Sequence, residues 1–170
     1  MFGKIETLRQ LFEIELSYAY DCEQKLVNKG LPTMIEKAWS PELRAALESH
    51  LTETKKHVQR LEQVFGAIGV EPITKTNDIL DEMMSAAKDS ASNIEDSSLR
   101  DAALIVNGNI VEHYEIALYG SLATFARNLG LQNVVTLLEE TLAEEKTADK
   151  KLTQIGESMT NAQAARHQTA

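Results

Sequence analysis

The sequence predicts an all-α protein, a four-helix bundle made of two antiparallel helical hairpins joined by one long crossover. Three observations carry that prediction. Only three prolines, at 32, 41 and 72, and eight glycines interrupt the 170 residues, leaving long proline-free stretches rich in Ala, Leu, Glu and Lys. Apolar residues recur with the 3.6-residue period in four long segments. Tight-turn signals at Ser40-Pro41 and Gly130 join those segments in pairs, whereas a long connection separates the pairs.

The first helix opens near Ile5, and Leu8, Leu11, Phe12, Glu15, Ala19, Cys22 and Leu26 follow its period. Gly30-Leu31-Pro32 either ends it or kinks a helix that runs on to Ala38. Leu31, Met34, Ile35 and Ala38 keep the period, which favours the kinked continuation. Ser40 can cap the second helix, Pro41 fits its first position, and Glu42 suits the positive end of its dipole. That helix is expected to reach about Phe65. Its inward stripe reads Leu43, Ala46, Leu47, His50, Glu53 or Thr54, His57, Leu61 and Val64, with Gly66, Gly69 and Pro72 ending it.

Residues 70–97 form the crossover. Asn77 can cap a short helix faced by Ile79, Leu80, Met83, Met84 and Ala87; residues 89–98 read as loop; and Ser98-x-x-Asp101 resembles a capping box. The third long helix, about Leu99–Asn128, is apolar over much of its circumference, the mark of a largely buried helix. Gly130 suits a C-cap. The fourth helix runs from about Leu131 to Ile155, with Val134, Leu137, Leu138, Leu142, Leu152 and Ile155 inward. These elements make one domain over residues 1–157, followed by a polar, disordered tail over 158–170 that contains His167. Four long helices with a single long crossover, here carrying a fifth short helix, define the ferritin-like topology.

Composition excludes several function classes. A hydrophobic share of 43% supplies one sizeable core. The single cysteine, Cys22, permits no internal disulfide and fits a reducing, cytoplasmic setting. No apolar run approaches the roughly 20 residues of a membrane span, and the first residues show no signal-peptide core. A net charge of −9 without a basic stripe argues against nucleic-acid binding.

The functional signal is the position of acids and histidines within the apolar stripes. Glu53 and His57 lie one turn apart on helix two, Glu112 and Glu115 on helix three, and Glu145 and Asp149 on helix four. Glu23 and Glu15 both touch the stripe of helix one. In antiparallel hairpins turning near Ser40 and Gly130, His57 is level with Glu23, Glu145 faces Glu115, and Asp149 lies near Glu112. If helix one instead stops at Gly30, the level shifts and Glu15 replaces Glu23 as the partner.

Buried carboxylates repel one another and lose hydration, so they must be protonated, paired with bases or bound to cations. A pair of divalent ions, iron or manganese, meets that need, with metal ligands expected among Glu23, Glu53, His57, Glu112, Glu115, Glu145 and Asp149. The usual Glu-x-x-His spacing is absent: Lys56 and Ala148 stand at the third positions, with His57 and Asp149 one place later. His50 and His113 read as structural or supporting histidines, Cys22 as a buried inert thiol, and Tyr18, Tyr20, Tyr114 and Tyr119 as core residues or neighbours of the site.

The stretches Asp21–Leu26, His50–Thr54, Val111–Gly120 and Leu138–Lys146 resemble the YciE/YciF family of bacterial ferritin-like stress proteins, which are related to rubrerythrin. The resemblance runs from about Glu6 to Ile155. It implies a homodimer of five-helix subunits with a dinuclear metal site, and it names no reaction. Two function classes follow. One is a di-metal redox protein acting on peroxide, oxygen or ferrous iron. Without a Cys-x-x-Cys site of its own, it would draw electrons from elsewhere. The other is a non-catalytic stress protein that binds through a helical dimer surface, with a degenerate or structural metal site.

Overall fold

The computed structural model describes residues 4–160 and 165, so His167 and most of the expected tail lie outside the described residues. Among the described residues the regular structure is helical: α1 (Leu8–Lys25), α2 (Leu31–Lys37), α3 (Pro41–Ile68), α4 (Asp78–Ser92), α5 (Ser97–Asn128) and α6 (Gln132–Ile155).

Helix α1 opens on a capping box in which the Thr7 side chain accepts from the Gln10 N–H and Gln10 reaches back to the Thr7 N–H. It runs into α2 through a π-helical turn, Leu26–Gly30, whose backbone stays helical. The widened turn, in which the Leu31 N–H reaches Leu26 O, accommodates Pro32, which has no N–H to give and would crowd an ordinary turn. The helix therefore continues past Pro32, as the apolar period indicated.

Two turns set the hairpins. Ser40 caps α3, and the fully buried Asp101 of α5 accepts the N–H groups of Trp39 and Ser40 at 2.9 and 2.7 Å. Asp101 thus secures the α2–α3 turn instead of forming a box with Ser98. The residue that caps α5 is Asp96, whose side chain accepts from the Leu99 N–H. Helix α3 passes through Gly66 and ends at Gly69, whose φ of 73° suits a residue without a Cβ. Gly130, with φ 74°, turns α5 into α6.

Contacts across each hairpin confirm the antiparallel pairing. Arg9 reaches the Ile68 carbonyl at 2.8 Å and Tyr20 meets Glu62 at 3.0 Å. In the second hairpin Arg127 meets Glu139 and Asn109 meets Asp149. The crossover helix α4 is longer than the sequence suggested, taking in Asp89–Ser92, and Ile79 faces outward. Its start is fixed where Asn77 donates to the Tyr18 carbonyl and the Tyr114 hydroxyl.

Two apolar clusters fill the bundle. One gathers Phe12, Leu16, Phe65, Leu122 and Leu138; the other gathers Leu26, Leu47, Leu104 and Leu152. Each fully buried Leu or Phe contributes about 1.5–3 kcal/mol. Between the two clusters in the course of every long helix lies a layer of buried acids and imidazoles.

Candidate metal centre

Each long element supplies that layer from one buried stripe. Helix α1 provides Glu23, α3 provides His50 and His57, α5 provides Glu112 and Glu115, and α6 provides Glu145. His50 and His57 are two turns apart on one face of α3, and their ring centroids are 6.4 Å apart.

Two trios of ligand-type atoms result, each within 4.8 Å of one another: Glu23, His57 and Glu145, and His50, Glu112 and Glu145. Glu145 belongs to both. Its Oε1 lies 2.9 Å from Nδ1 of His57, and its Oε2 lies 3.9 Å from Nε2 of His50. Nδ1 of His57 is also 3.5 Å from Oε1 of Glu23, and Nε2 of His50 is 3.0 Å from Oε1 of Glu112. A carboxylate with one oxygen toward each trio is placed to bridge two cations.

The surroundings support the trios. Tyr119 donates its hydroxyl hydrogen to Oε1 of Glu23. Glu144 accepts from Nε2 of His57 at 2.8 Å and is itself gripped by Arg60. That bond holds the ring by Nε2 and turns Nδ1 toward Glu23 and Glu145.

Whether a cation fits is decided by the unpaired atoms. Glu23 Oε2 and Glu112 Oε2 are buried without a hydrogen-bond partner, whereas His57 Nδ1 and Glu145 Oε1 have only their 2.9 Å contact with each other. Buried polar atoms in a native fold are nearly always satisfied. Four buried carboxylates here face two imidazoles, so the acids outnumber the bases whenever all four are ionised. Burial raises Glu145 and Glu23, against the pull of His57, and burial with the charges of Glu145, Glu23 and Glu112 holds Glu115 well above the usual carboxylate range. Burial would lower His57, but Glu145 and Glu23 outweigh it and raise the ring to about 10; His50 is likewise held well above its usual value by Glu112. Oxygen- and nitrogen-rich donors with surplus negative charge suit a pair of divalent transition-metal ions.

The expected ligands separate into three groups. Glu23, His57, Glu112 and Glu145 are in the trios. Glu115 is buried beside Cys22, with Sγ 3.6 Å from its Oε1, and belongs to neither trio. Glu53 and Asp149 are half-buried at the edge: Glu53 lies 3.9 Å from Nδ1 of His50, and Asp149 meets Asn109 at 2.7 Å and His113 at 3.4 Å. Glu15 stays half-buried outside both trios. The sequence reading gives His50, on the inward stripe, a structural role rather than a ligand's, and does not single out Glu144, which the apolar period places off the inward face. Cys22 is buried, and burial with the charges of Glu115 and Glu23 raises its thiol well above the usual value. No helix among the described residues is long and apolar enough to cross a membrane.

Comparison with known proteins agrees with this architecture. Residues 7–165 match the family described as a domain of unknown function, DUF892. Protein YciF of Escherichia coli (strain K12) is 34% identical over 161 residues, covering 94% of this chain and 96% of YciF. The crystal structure of that stress protein superposes with a TM-score of 0.88 over 92% of this chain and 99% of its own. YcfI of Rhodopseudomonas palustris is 40% identical, with a TM-score of 0.87 over 90% and 98% of the two chains. A Xanthomonas campestris protein, XCC3681, shares the fold at 21% identity, with a TM-score of 0.74 over 95% and 99%. The chain therefore belongs to the DUF892 family, that of the YciF stress protein.

Proposed function

We propose that this protein is a di-metal carboxylate protein of the bacterial stress response, holding two iron or manganese ions side by side in the bundle. Glu23 and His57 would hold one ion, His50 and Glu112 the other, and Glu145 would serve both. The observation that carries the reading is the pair of buried trios, whose ligand-type atoms lie within 4.8 Å of one another and share Glu145. Bound there, the metal pair would supply electron-transfer chemistry toward peroxide, oxygen or ferrous iron. The chain's own contribution is to shield the centre from bulk water and to turn Nδ1 of His57 toward it, for a metal that displaces the ring proton. Tyr119 and Glu144 would fix Glu23 and His57 in place. A reducing cytoplasm suits both the free thiol and the metals.

Metal analysis of protein expressed with iron or with manganese, followed by a peroxide-turnover assay, tests this reading. About two ions per chain with turnover supports it. Metal-free protein that cannot be loaded overturns it.

One observation favours the second function class as well. The outer face of α5 exposes Leu99, Val106 and Ile110 on a single stripe. A homodimer closing over that stripe would bury it and give a stress protein a binding surface whether or not its metal centre turns over. Bound metal without turnover would favour this class.

A further inference from the structure

A cavity of about 210 Å³ opens between α3 and α6, with His50 and Glu112 in its lining and Glu53, Ser49, Thr147 and Lys151 around it. It is large enough for several waters. It touches one trio and not the other: His50 and Glu112 line it, whereas Glu23 and His57 do not. On the opposite side the Tyr119 hydroxyl engages Glu23, and Arg60 with Glu144 covers His57.

Donors continue inward from this cavity. Glu53, half-exposed, stands 3.9 Å from Nδ1 of His50. Across the same ring, Nε2 lies 3.0 Å from Glu112 and 3.9 Å from Glu145. Glu145 then leads to His57 at 2.9 Å. A carboxylate therefore precedes and follows the His50 ring. Nδ1 of His50 and Oε2 of Glu112 are both buried without a hydrogen-bond partner.

We infer that this cavity is the port through which divalent cations reach the centre, with Glu53 as the transient ligand that passes an ion to His50 and Glu112. The inference rests on the metal-binding reading above and assigns Glu53 a role in admission, distinct from the permanent ligands. A partly exposed acid at the mouth of a narrow cleft raises the local cation concentration and the association rate. The His50–Glu112 position fills first, and the Glu23–His57 position is reached only past Glu145.

Stopped-flow absorbance with Co²⁺ as the probe, read on the metal-free full chain, tests the port. Two variants address it independently: Glu53→Gln removes the transient ligand, and Thr147→Trp obstructs the mouth from an exposed helix position. Both should slow the appearance of the Co²⁺ band by about tenfold or more, while equilibrium dialysis returns the same final stoichiometry as the unaltered chain. Uptake at an unchanged rate in both variants places admission elsewhere and overturns the port. A lower final stoichiometry in Glu53→Gln makes Glu53 a permanent ligand and overturns its transient role. If the unaltered chain itself binds no Co²⁺, the metal-binding reading fails together with the port.

Discussion

Glu144 accepts a hydrogen bond from Nε2 of His57 at 2.8 Å, and this one contact decides which nitrogen of a fully buried ring faces the centre. The other nitrogen, Nδ1, is left between Glu23 and Glu145. Arg60 pulls the Glu144 carboxyl below its ordinary value, keeping it an acceptor across neutral pH. Replacing Glu144 by Ala should free the ring to turn and lower metal affinity by about 10–100-fold. Isothermal titration with Mn²⁺ would measure this, and the circular-dichroism spectrum should not change.

Glu145→Gln should have the largest effect on binding, because Glu145 alone belongs to both trios. Stoichiometry should fall at both positions together. The metal-free variant should melt at or above the temperature of the metal-free parent, since one buried like charge has been removed. Calorimetry of both metal-free proteins checks this directly.

The pH dependence of the metal-free protein has a definite sign. Glu23, Glu115 and Glu145 are raised from 4.5, and His57 is raised from 6.5 to about 10. The folded chain therefore binds more protons than the unfolded one from above the ordinary carboxylate range up to about pH 10. Stability contributed by these groups is complete below the unfolded values and is lost as pH rises through the folded ones. Tm of the metal-free protein should fall between pH 5 and pH 10. Metal needs those same donors deprotonated, so the gain in Tm on adding Mn²⁺ should widen with pH.

The outer face of α5 yields a prediction about assembly. Leu99, Val106 and Ile110 are exposed on a helix whose opposite face is already the bundle core. A dimer formed over them should bury more than about 1,500 Å² in total. Light scattering should give a dimer at micromolar concentration, and Val106→Asp with Ile110→Asp should give a folded monomer.

The fold was legible because the turns that set the hairpins carried chemical markers. Ser40-Pro41, Gly69, Asn77 and Gly130 all act where the sequence places them. The continuation through Pro32 was readable from the apolar period, though the π-helical turn that permits it was not. Because helix one continues, Glu23 reaches the level of His57 and Glu15 does not. The α5 cap was misread because Asp101 acts across the bundle on Trp39 and Ser40, and a local motif cannot register a contact so distant in sequence.

The candidate site was legible by helix and by height, less so by residue. Helical phase explains the difference. On α3 the buried stripe runs through His50, Thr54, His57 and Leu61, and Glu53 lies about 60° to one side of His50. On α6 the stripe runs through Leu138, Thr141, Glu145 and Leu152, with Asp149 at its edge. Starting from a Glu-x-x-His template drew attention to Glu53, whereas the stripe itself contains His50. Glu144 lay beyond reach because its importance comes from a bond between two helices.

Anomalous diffraction from crystals grown with Mn²⁺, recorded near the manganese edge, tests the central claim most directly. The account predicts two peaks flanking the Glu145 carboxylate, one beside Glu23 and His57 and the other beside His50 and Glu112. A single peak at the edge beside Glu53 or Asp149, or no peak in this layer at saturating Mn²⁺, would contradict it.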